Sequence, residues 1–377
     1  MLNNGKPLTI LNVVLSIGET SGPYNEHCLA LADRRDITLC SLFKSSFTPP
    51  PTITYFEGNS TVLGFFPALK AALAAKEYDI IHLHSPHVGF LFLISSVFTR
   101  GRYMHSAVFT VQNSYQNYKL RNKLLHLPIF AFFPKVACCS QASFDSFPRH
   151  FKRLVGDRLC VVQNGPDIDR IDRVIEASRR HAPQDAQRGF TVVSVGRLIK
   201  IKNPFSVLRA FHQSDDGSSR LVFIGEGGWR DLLAEEIGAR SLGERVELAG
   251  LIPREQVFAR IAHADVFVSA SRGEGLPFAV MEAMACRCPV ILSDIEPHRE
   301  IAASVDFIPL IDPDDVAGFA REIKRFRDMP ASERVAIGER CRRLVEEQFS
   351  LSAMHRKYER EVYAPLLGRS QMLVTAT

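Results

Sequence analysis

In the stretch SRGEGLPFAVMEAMACRCPVILSD, residues 271–294, two carboxylates, Glu274 and Glu282, stand eight positions apart among residues that are almost uncharged. Carboxylate oxygens accept hydrogen bonds from hydroxyls and can move protons. Two other stretches carry the opposite charge or none. Arg197 and Lys202 follow the apolar run TVVSVG, and the glycines Gly225, Gly227 and Gly228 follow LVFIG. In parallel α/β sheets, ligands collect beyond the C-terminal ends of the strands, where loops and helix N-termini converge. A helix start there, entered through Gly275, Leu276, Pro277 and Phe278, offers N–H donors and partial positive charge to a phosphate. Arg197 and Lys202 neutralise more of its charge, so the set reads as a pocket for a diphosphate.

The two glutamates then take different tasks. Glu274 lies in the loop at a strand end, open to hydroxyls. Glu282 is two turns into a helix whose other residues from 276 to 286 are uncharged. A carboxylate among buried apolar groups is costly unless it is paired or hydrogen-bonded. A ribose, with two adjacent hydroxyl donors, would satisfy Glu282. So would a structural arginine or a set of backbone amides.

The scaffold that positions these residues is legible as short apolar runs alternating with helical patterns, the signature of parallel α/β architecture. Strands are expected at 8–16, 36–43, 79–85, 106–112, 135–140 and 159–165, and again at 190–198, 220–227, 245–250, 265–271, 289–294 and 305–310. At 377 residues, 46 % apolar and 23 % charged, the chain fits two globular domains. Residues 1–168 and 189–350 read as Rossmann-like domains, with a polar linker at 169–188. Residues 351–377 read as a C-terminal helix, with its helical pattern at 351–367, and a tail; the helix follows the last strand and is expected to cross back to the first domain.

Other features exclude function classes. There is no signal-peptide pattern, and no stretch approaches the ~20 uninterrupted apolar residues of a membrane span. The eight cysteines lack paired ligand spacing, which disfavours disulfide and metal frameworks and suits a cytoplasmic protein. His82 and His84 alternate on one strand and share a face, but a zinc site needs further ligands. Asp167 and Asp169 fall in a turn, and no G-x-G-x-x-G follows the first strand, which counts against a dinucleotide. No metal, cofactor or nucleic acid is expected. Net charge is +5, yet between Arg100 and Arg158 ten basic residues face only two acids, Asp145 and Asp157. The apolar run LLHLPIFAFFP (124–134) threads that segment, a combination that suits an anionic membrane surface or a buried helix with a solvated rim.

The motifs GEGLPFAVMEAMACRCPVILSD, VGRLIKIKNP, LVFIGEGGWR, VVQNGPDIDR, SGPYNEHCLALA and DIIHLHSPH together resemble those of the retaining glycosyltransferases of family 4, across nearly the whole chain. The resemblance implies the GT-B fold, two Rossmann-like domains facing a central cleft. It implies that Arg197 and Lys202 hold a donor diphosphate, Glu274 the donor sugar, Glu282 the ribose, and that Gly22 faces the diphosphate and acceptor. Gly225, Gly227, Gly275, Leu276, Pro277 and Phe278 would complete the donor site. His84, Gln112 and Asn25 would lie on the acceptor side. One departure is Gln112 in FTVQNS, where the family often has a histidine; Gln can hydrogen-bond a sugar hydroxyl but cannot exchange a proton. The function implied is transfer of a hexose or N-acetylhexosamine from a nucleotide sugar, UDP-linked rather than GDP-mannose, to a saccharide acceptor. The acceptor would be lipid-linked, in cell-surface polysaccharide or lipopolysaccharide synthesis at the inner membrane face. A sugar-nucleotide 2-epimerase of the same fold and a non-catalytic nucleotide-sugar-binding module are the rival readings.

Overall fold

Runs such as TILNVV and VILS have no polar alternation, so they can be strands only where both sheet faces are covered, as helices do in parallel sheets. The computed structural model, which describes residues 7–18, 21–181, 189–214, 217–275 and 277–368, follows this rule in two units. One unit comprises Met1–Asn164 with Leu351–Thr377, the other Gly165–Ser350.

The first unit contains β1 (Thr9–Val14), β2 (Asp36–Ser41), β3 (Thr54–Glu57), β4 (Ile80–Leu83), β5 (Ala107–Val111), β6 (Lys135–Cys138) and β7 (Leu159–Val161). They form a seven-stranded parallel sheet in the order β3-β2-β1-β4-β5-β6-β7. The second contains β8 (Thr191–Val195), β9 (Arg220–Ile224), β10 (Val246–Leu248), β11 (Val266–Ser269), β12 (Val290–Ser293) and β13 (Leu310–Ile311). Its six-stranded parallel sheet runs β10-β9-β8-β11-β12-β13. This is the α/β class expected, with one extra strand. The sequence TYFE of β3 is made largely of strand-favouring residues, but it is short, partly exposed and preceded by three prolines, and it forms as an edge partner of β2.

Of the polar linker expected at 169–188, residues 182–188 lie outside the described residues and the rest is helical. Residues Ile168–His181 form a helix of the second unit, its start capped by Asp167, whose Oδ1 accepts from the Arg170 N–H at 3.0 Å. Ile171 and Ile175 are buried beneath it, and Asp172 receives both guanidinium nitrogens of the nearly buried Arg342 at 2.7 and 2.9 Å. Among its described side chains the buried apolar ones are Ile171 and Ile175, in a helix rich in charge, which is why composition alone suggests a linker.

The C-terminal segment packs on the first unit. Leu351, Met354, Tyr358, Val362, Tyr363 and Leu366 join the core that covers β1, β2, β4 and β5 on one face. A π-helical turn, Tyr358–Tyr363, stacks its two terminal rings at 5.7 Å, and their hydroxyls reach Thr110 and His82, each at 3.0 Å.

Arg158, grouped in the sequence with the surface cations, instead donates to five carbonyl oxygens. Those of Phe130, Ala131 and Phe133 end one helix, and those of Leu154 and Val155 end another. Charge-assisted bonds to helix C-termini are favourable. Replacing Arg158 by Met should therefore lower unfolding stability by about 2–3 kcal/mol. Urea denaturation checks it, and a wild-type midpoint would return Arg158 to the surface charges.

Candidate functional site

In the second unit the strand order reverses between β8 and β11, and the residues with chemistry leave those two strands. Arg197 and Lys202 follow β8, and Glu274 follows β11. The two loops are tied together, since the Arg272 N–H donates to the Ile201 carbonyl at 2.7 Å. Lys202 ends a tight turn, Lys200–Lys202, closed by Asn203 at φ 53°, whose side chain donates to the Pro313 carbonyl at 2.8 Å. The aliphatic stem of Lys202 runs over Gly196, and its Nζ meets Glu274 Oε1 at 2.5 Å. The same oxygen accepts from Ser271 Oγ at 2.7 Å. Arg197 is exposed and forms no ion pair among the described residues. Cation and carboxylate thus converge, whereas the sequence reading had given them to separate parts of a ligand.

The glycines after β9 have a reason of their own. A Cβ on Gly225, at φ 138°, would lie 2.2 Å from the Gly196 carbonyl oxygen, and one on Gly227 would lie 2.4 Å from that of Leu198. Leu198 N–H donates to the Glu226 carbonyl and Trp229 N–H to the Leu198 carbonyl, both at 2.9 Å. The glycine turn is therefore required for close packing against the segment that carries Arg197.

Glu282 is buried in the helix Phe278–Ala285, as its sequence position suggested, and the polar group that reaches it is Arg254. The Arg254 Nε donates to Glu282 Oε1 at 3.0 Å, reinforced by its terminal nitrogen. Burial no longer demands a ribose there, because a buried carboxylate is satisfied by a paired guanidinium. Arg254 opens its own helix after Pro253, 28 residues before Glu282, and no local pattern signals the pair. Gly275 and Pro277 are buried and Phe278 is half-buried ahead of this helix. Leu276 lies outside the described residues.

In the first unit the reversal falls between β1 and β4. Gly22 and Asn25 follow β1 in the short helix Gly22–His27, His84 follows β4, and Gln112 follows β5. Asn25 donates to the Ser21 carbonyl at 2.8 Å and so braces the loop before it. His84 Nε2 meets Asn12 Oδ1 at 2.9 Å, and Gln112 Nε2 approaches His84 Nδ1 at 3.4 Å. Gln112 thus contacts the histidine of the neighbouring strand end.

His27 was not foreseen. Its ring lies 4.8 Å from His84 and 5.0 Å from His82, and the latter two stack at 4.0 Å. One nitrogen of each lies within 4.8 Å of the others, a grouping of metal-ligand type. His82, however, already uses both nitrogens, on Tyr363 at 3.0 Å and Thr110 at 2.6 Å, so coordination would compete with the bonds that fasten the C-terminal segment. Burial holds all three rings neutral: it pushes His84 down to about 3, and His27 and His82 well below 6.5. His27 sits at the end of a six-residue helix, where only the tertiary fold brings it to the other two.

Two α/β units, each with polar groups at the C-terminal edge of a strand-order reversal, define a Rossmann-like two-domain protein of the kind that binds nucleotides. Residues 177–344 match the family described as glycosyl transferases group 1, and residues 36–170 match glycosyltransferase family 4. Between them the two matches span most of the chain, and with the curated relatives they support a glycosyltransferase of family 4 type with the GT-B fold. Among curated relatives, EpsD of Bacillus subtilis, which carries a glycosyltransferase name, is 27 % identical over 89 % of this chain and 82 % of its own length. A UDP-Gal:α-D-GlcNAc-diphosphoundecaprenol α-1,3-galactosyltransferase of Escherichia coli is 26 % identical over 69 % of each chain. An uncharacterized glycosyltransferase of Methanocaldococcus jannaschii is 25 % identical over 57 % of this chain, and the match spans only 56 % of that protein. The Anabaena HepE structure with UDP and glucose superposes with a TM-score of 0.75 at 19 % identity, covering 95 % of this chain and all of HepE.

The neutral histidines set an acid limit on stability. Below about pH 6.5 the unfolded chain protonates each of them while the folded rings stay neutral, so stability is full above that pH and falls as pH drops. The loss amounts to ~1.4 kcal/mol per pH unit for each such histidine. Thermal melts at about pH 7.5 and about pH 5.5 should therefore differ by many degrees, and an unchanged midpoint would show that the rings titrate normally in the folded protein.

Proposed function

We propose that the protein transfers a hexose or N-acetylhexosamine from a nucleoside diphosphate sugar, UDP-linked rather than GDP-mannose, to a saccharide on a lipid carrier, with retention of anomeric configuration. The observation that carries this reading is the Lys202–Glu274 ion pair beyond the ends of β8 and β11, with Arg197 on the loop that also carries Lys202. Breaking the bond between the anomeric carbon and the diphosphate builds negative charge on the leaving group. Arg197, Lys202 and the N–H groups of the helix Phe278–Ala285 are the preorganised partners for it, in place of a metal. Glu274, beside them, takes hydroxyls of the donor sugar. The acceptor hydroxyl enters on the face that the diphosphate leaves, and a diphosphate oxygen receives its proton. Glu282 as a ribose ligand, with Gly225, Gly227, Gly275 and Gly22 lining the donor, rests on the family resemblance. So does the acceptor side at His84, Gln112 and Asn25. UDP is favoured because HepE was crystallised with it and the E. coli relative is named for UDP-Gal.

The ion pair sharpens the test of Glu274. In Glu274→Ala, Lys202 loses its partner and remains available to a diphosphate. Transfer should fall at least about a hundredfold while UDP binds as tightly as before or more tightly. Calorimetry with UDP and turnover of UDP-sugars measure both; a parallel loss of UDP affinity would remove Glu274 from the sugar and give it to the nucleotide.

A lipid carrier implies a membrane surface. Among the described residues no helix is long and apolar enough to span a bilayer. The helix Leu120–Phe132 buries His126, Ile129 and Phe130 yet exposes Leu120, Leu124 and Leu127, at positions i, i+4 and i+7, with Leu120 73 % accessible. Lys119 and Arg121 are exposed beside that stripe, and Lys123 lies over the Tyr115 ring. An exposed leucine stripe with cations beside it suits peripheral attachment to anionic lipid. The protein should sediment with anionic but not neutral vesicles at low salt. Replacing Lys119, Arg121 and Lys123 by Ser should cut the bound fraction about a hundredfold. Equal binding to both vesicle types, or to neither, would remove the membrane from the proposal.

A further inference from the structure

A histidine that the sequence reading passed over stands behind Glu274. His298 lies in the first turn of the helix Glu296–Ala302, after β12, and is fully buried. Its Nδ1 is 2.8 Å from the Ser293 carbonyl oxygen and 3.0 Å from Ser293 Oγ. A carbonyl can only accept, so Nδ1 carries the proton. Ser293 Oγ donates its own proton to the Ser271 carbonyl at 2.6 Å. Ser271 in turn donates through Oγ to Glu274 Oε1 at 2.7 Å, the oxygen that also holds Lys202. The ends of the adjacent strands β11 and β12 are thus joined by side chains, and the last link is the carboxylate. Burial pushes His298 down to about 4; Glu274 and the Ser293 bond oppose that shift and Lys202 adds to it, so both members of the ion pair lie within electrostatic reach. The ring is neutral, and among the described residues its Nε2 is buried without a partner.

We propose that His298 is a positioning residue for sugar transfer. Its Nδ1–H fixes Ser293, Ser293 fixes Ser271, and Ser271 aims the Glu274 carboxylate at the donor sugar. The inference rests on Glu274 meeting that sugar. A carboxylate displaced by about 1 Å loses on the order of a hundredfold in rate when orientation is what it supplies. The ring does not touch the reacting atoms and acts only through the two serines.

The experiment compares His298→Phe, which keeps an aromatic ring but has no donor, with His298→Asn, whose amide N–H can take the place of Nδ1–H. The donor is whichever UDP- or GDP-sugar best protects the wild type against thermal unfolding. His298→Phe should lower kcat by about a hundredfold, with the Kd for the matching nucleoside diphosphate unchanged, and His298→Asn should recover most of the rate. Ser293→Ala breaks the same relay from its other side and should match His298→Phe, which covers the case in which that variant does not fold. Imidazole nitrogen NMR of the wild type should show the Nδ1–H tautomer, independently of any donor. A wild-type kcat in folded His298→Phe, an Asn variant as slow as the Phe variant, or the Nε2–H tautomer would overturn the proposal. Glu274→Ala is measured beside them. If it retains full transfer, the reading of Glu274 itself has failed, whereas its loss with an intact His298→Phe indicts the relay alone.

Discussion

Both sheets are parallel and covered on both faces, and this dictates where chemistry can sit. A strand buried on two sides has no solvent for a polar side chain, so an unpaired one costs a few kcal/mol. Functional groups are displaced to the C-terminal edge, where the backbone ends and helix N-termini begin. At the strand-order reversal two neighbouring loops diverge to opposite sides and leave space between them. Arg197, Lys202 and Glu274 in one unit, and Asn25, His84 and Gln112 in the other, occupy the positions that this constraint leaves open. The glycines of the β9 turn serve it too. Without them the turn could not lie against Gly196 and Leu198, and the segment bearing Arg197 would lose its support.

Within that edge, the Lys202–Glu274 pair decides the state in which the site waits. Both side chains are largely shielded, 24 % and 11 % exposed, so neither charge is well solvated. Each compensates the other's desolvation, and the Ser271 hydroxyl holds the carboxylate in one orientation. In the proposed reaction a diphosphate at Lys202 would meet a cation already partly dehydrated, and its hydrogen bonds would replace those of Glu274 instead of those of water. Glu274 would then be released toward hydroxyl donors, with Ser271 keeping it aimed. Preorganisation of this kind stabilises developing charge without reorganisation at the moment of reaction.

What could be read from the sequence follows from range. Buried parallel strands announce themselves because their apolar character is local, as in TILNVV and VFVS; TYFE, exposed and held only by a neighbour, does not. The edge residues could be read because strand ends are local features as well. Partners that arrive across the fold could not. Arg254 reaches Glu282 from 28 positions away, Arg158 gathers carbonyls from two helices, and His27 meets His84 only after β1 and β4 pair. The helix Ile168–His181 was hidden for a related reason. Its burial depends on two isoleucines, while its charges find Arg342 and Glu255 far along the chain.

Both units bury polar groups. In the second, ion pairs of Arg254 with Glu282 and Arg342 with Asp172 join elements distant in sequence, beside the neutral His298. The first holds a neutral set inside the sheet itself: Asn12 on β1, His82 on β4 and Thr110 on β5, with His84 and His27 beside them. Neutral groups suit that depth, since an ion there would have to be desolvated completely, whereas imidazoles and hydroxyls need only be hydrogen-bonded. The hydroxyls of Tyr358 and Tyr363 supply those bonds from the C-terminal segment. That segment packs on the first unit where its hydroxyls meet Thr110 and His82 Nδ1 within the sheet, and its apolar side chains complete the same core. Losing the tyrosine hydroxyls would leave His82 and Thr110 short of partners beneath a dry layer, so the polar interior fixes where the segment from Leu351 to Leu366 lies.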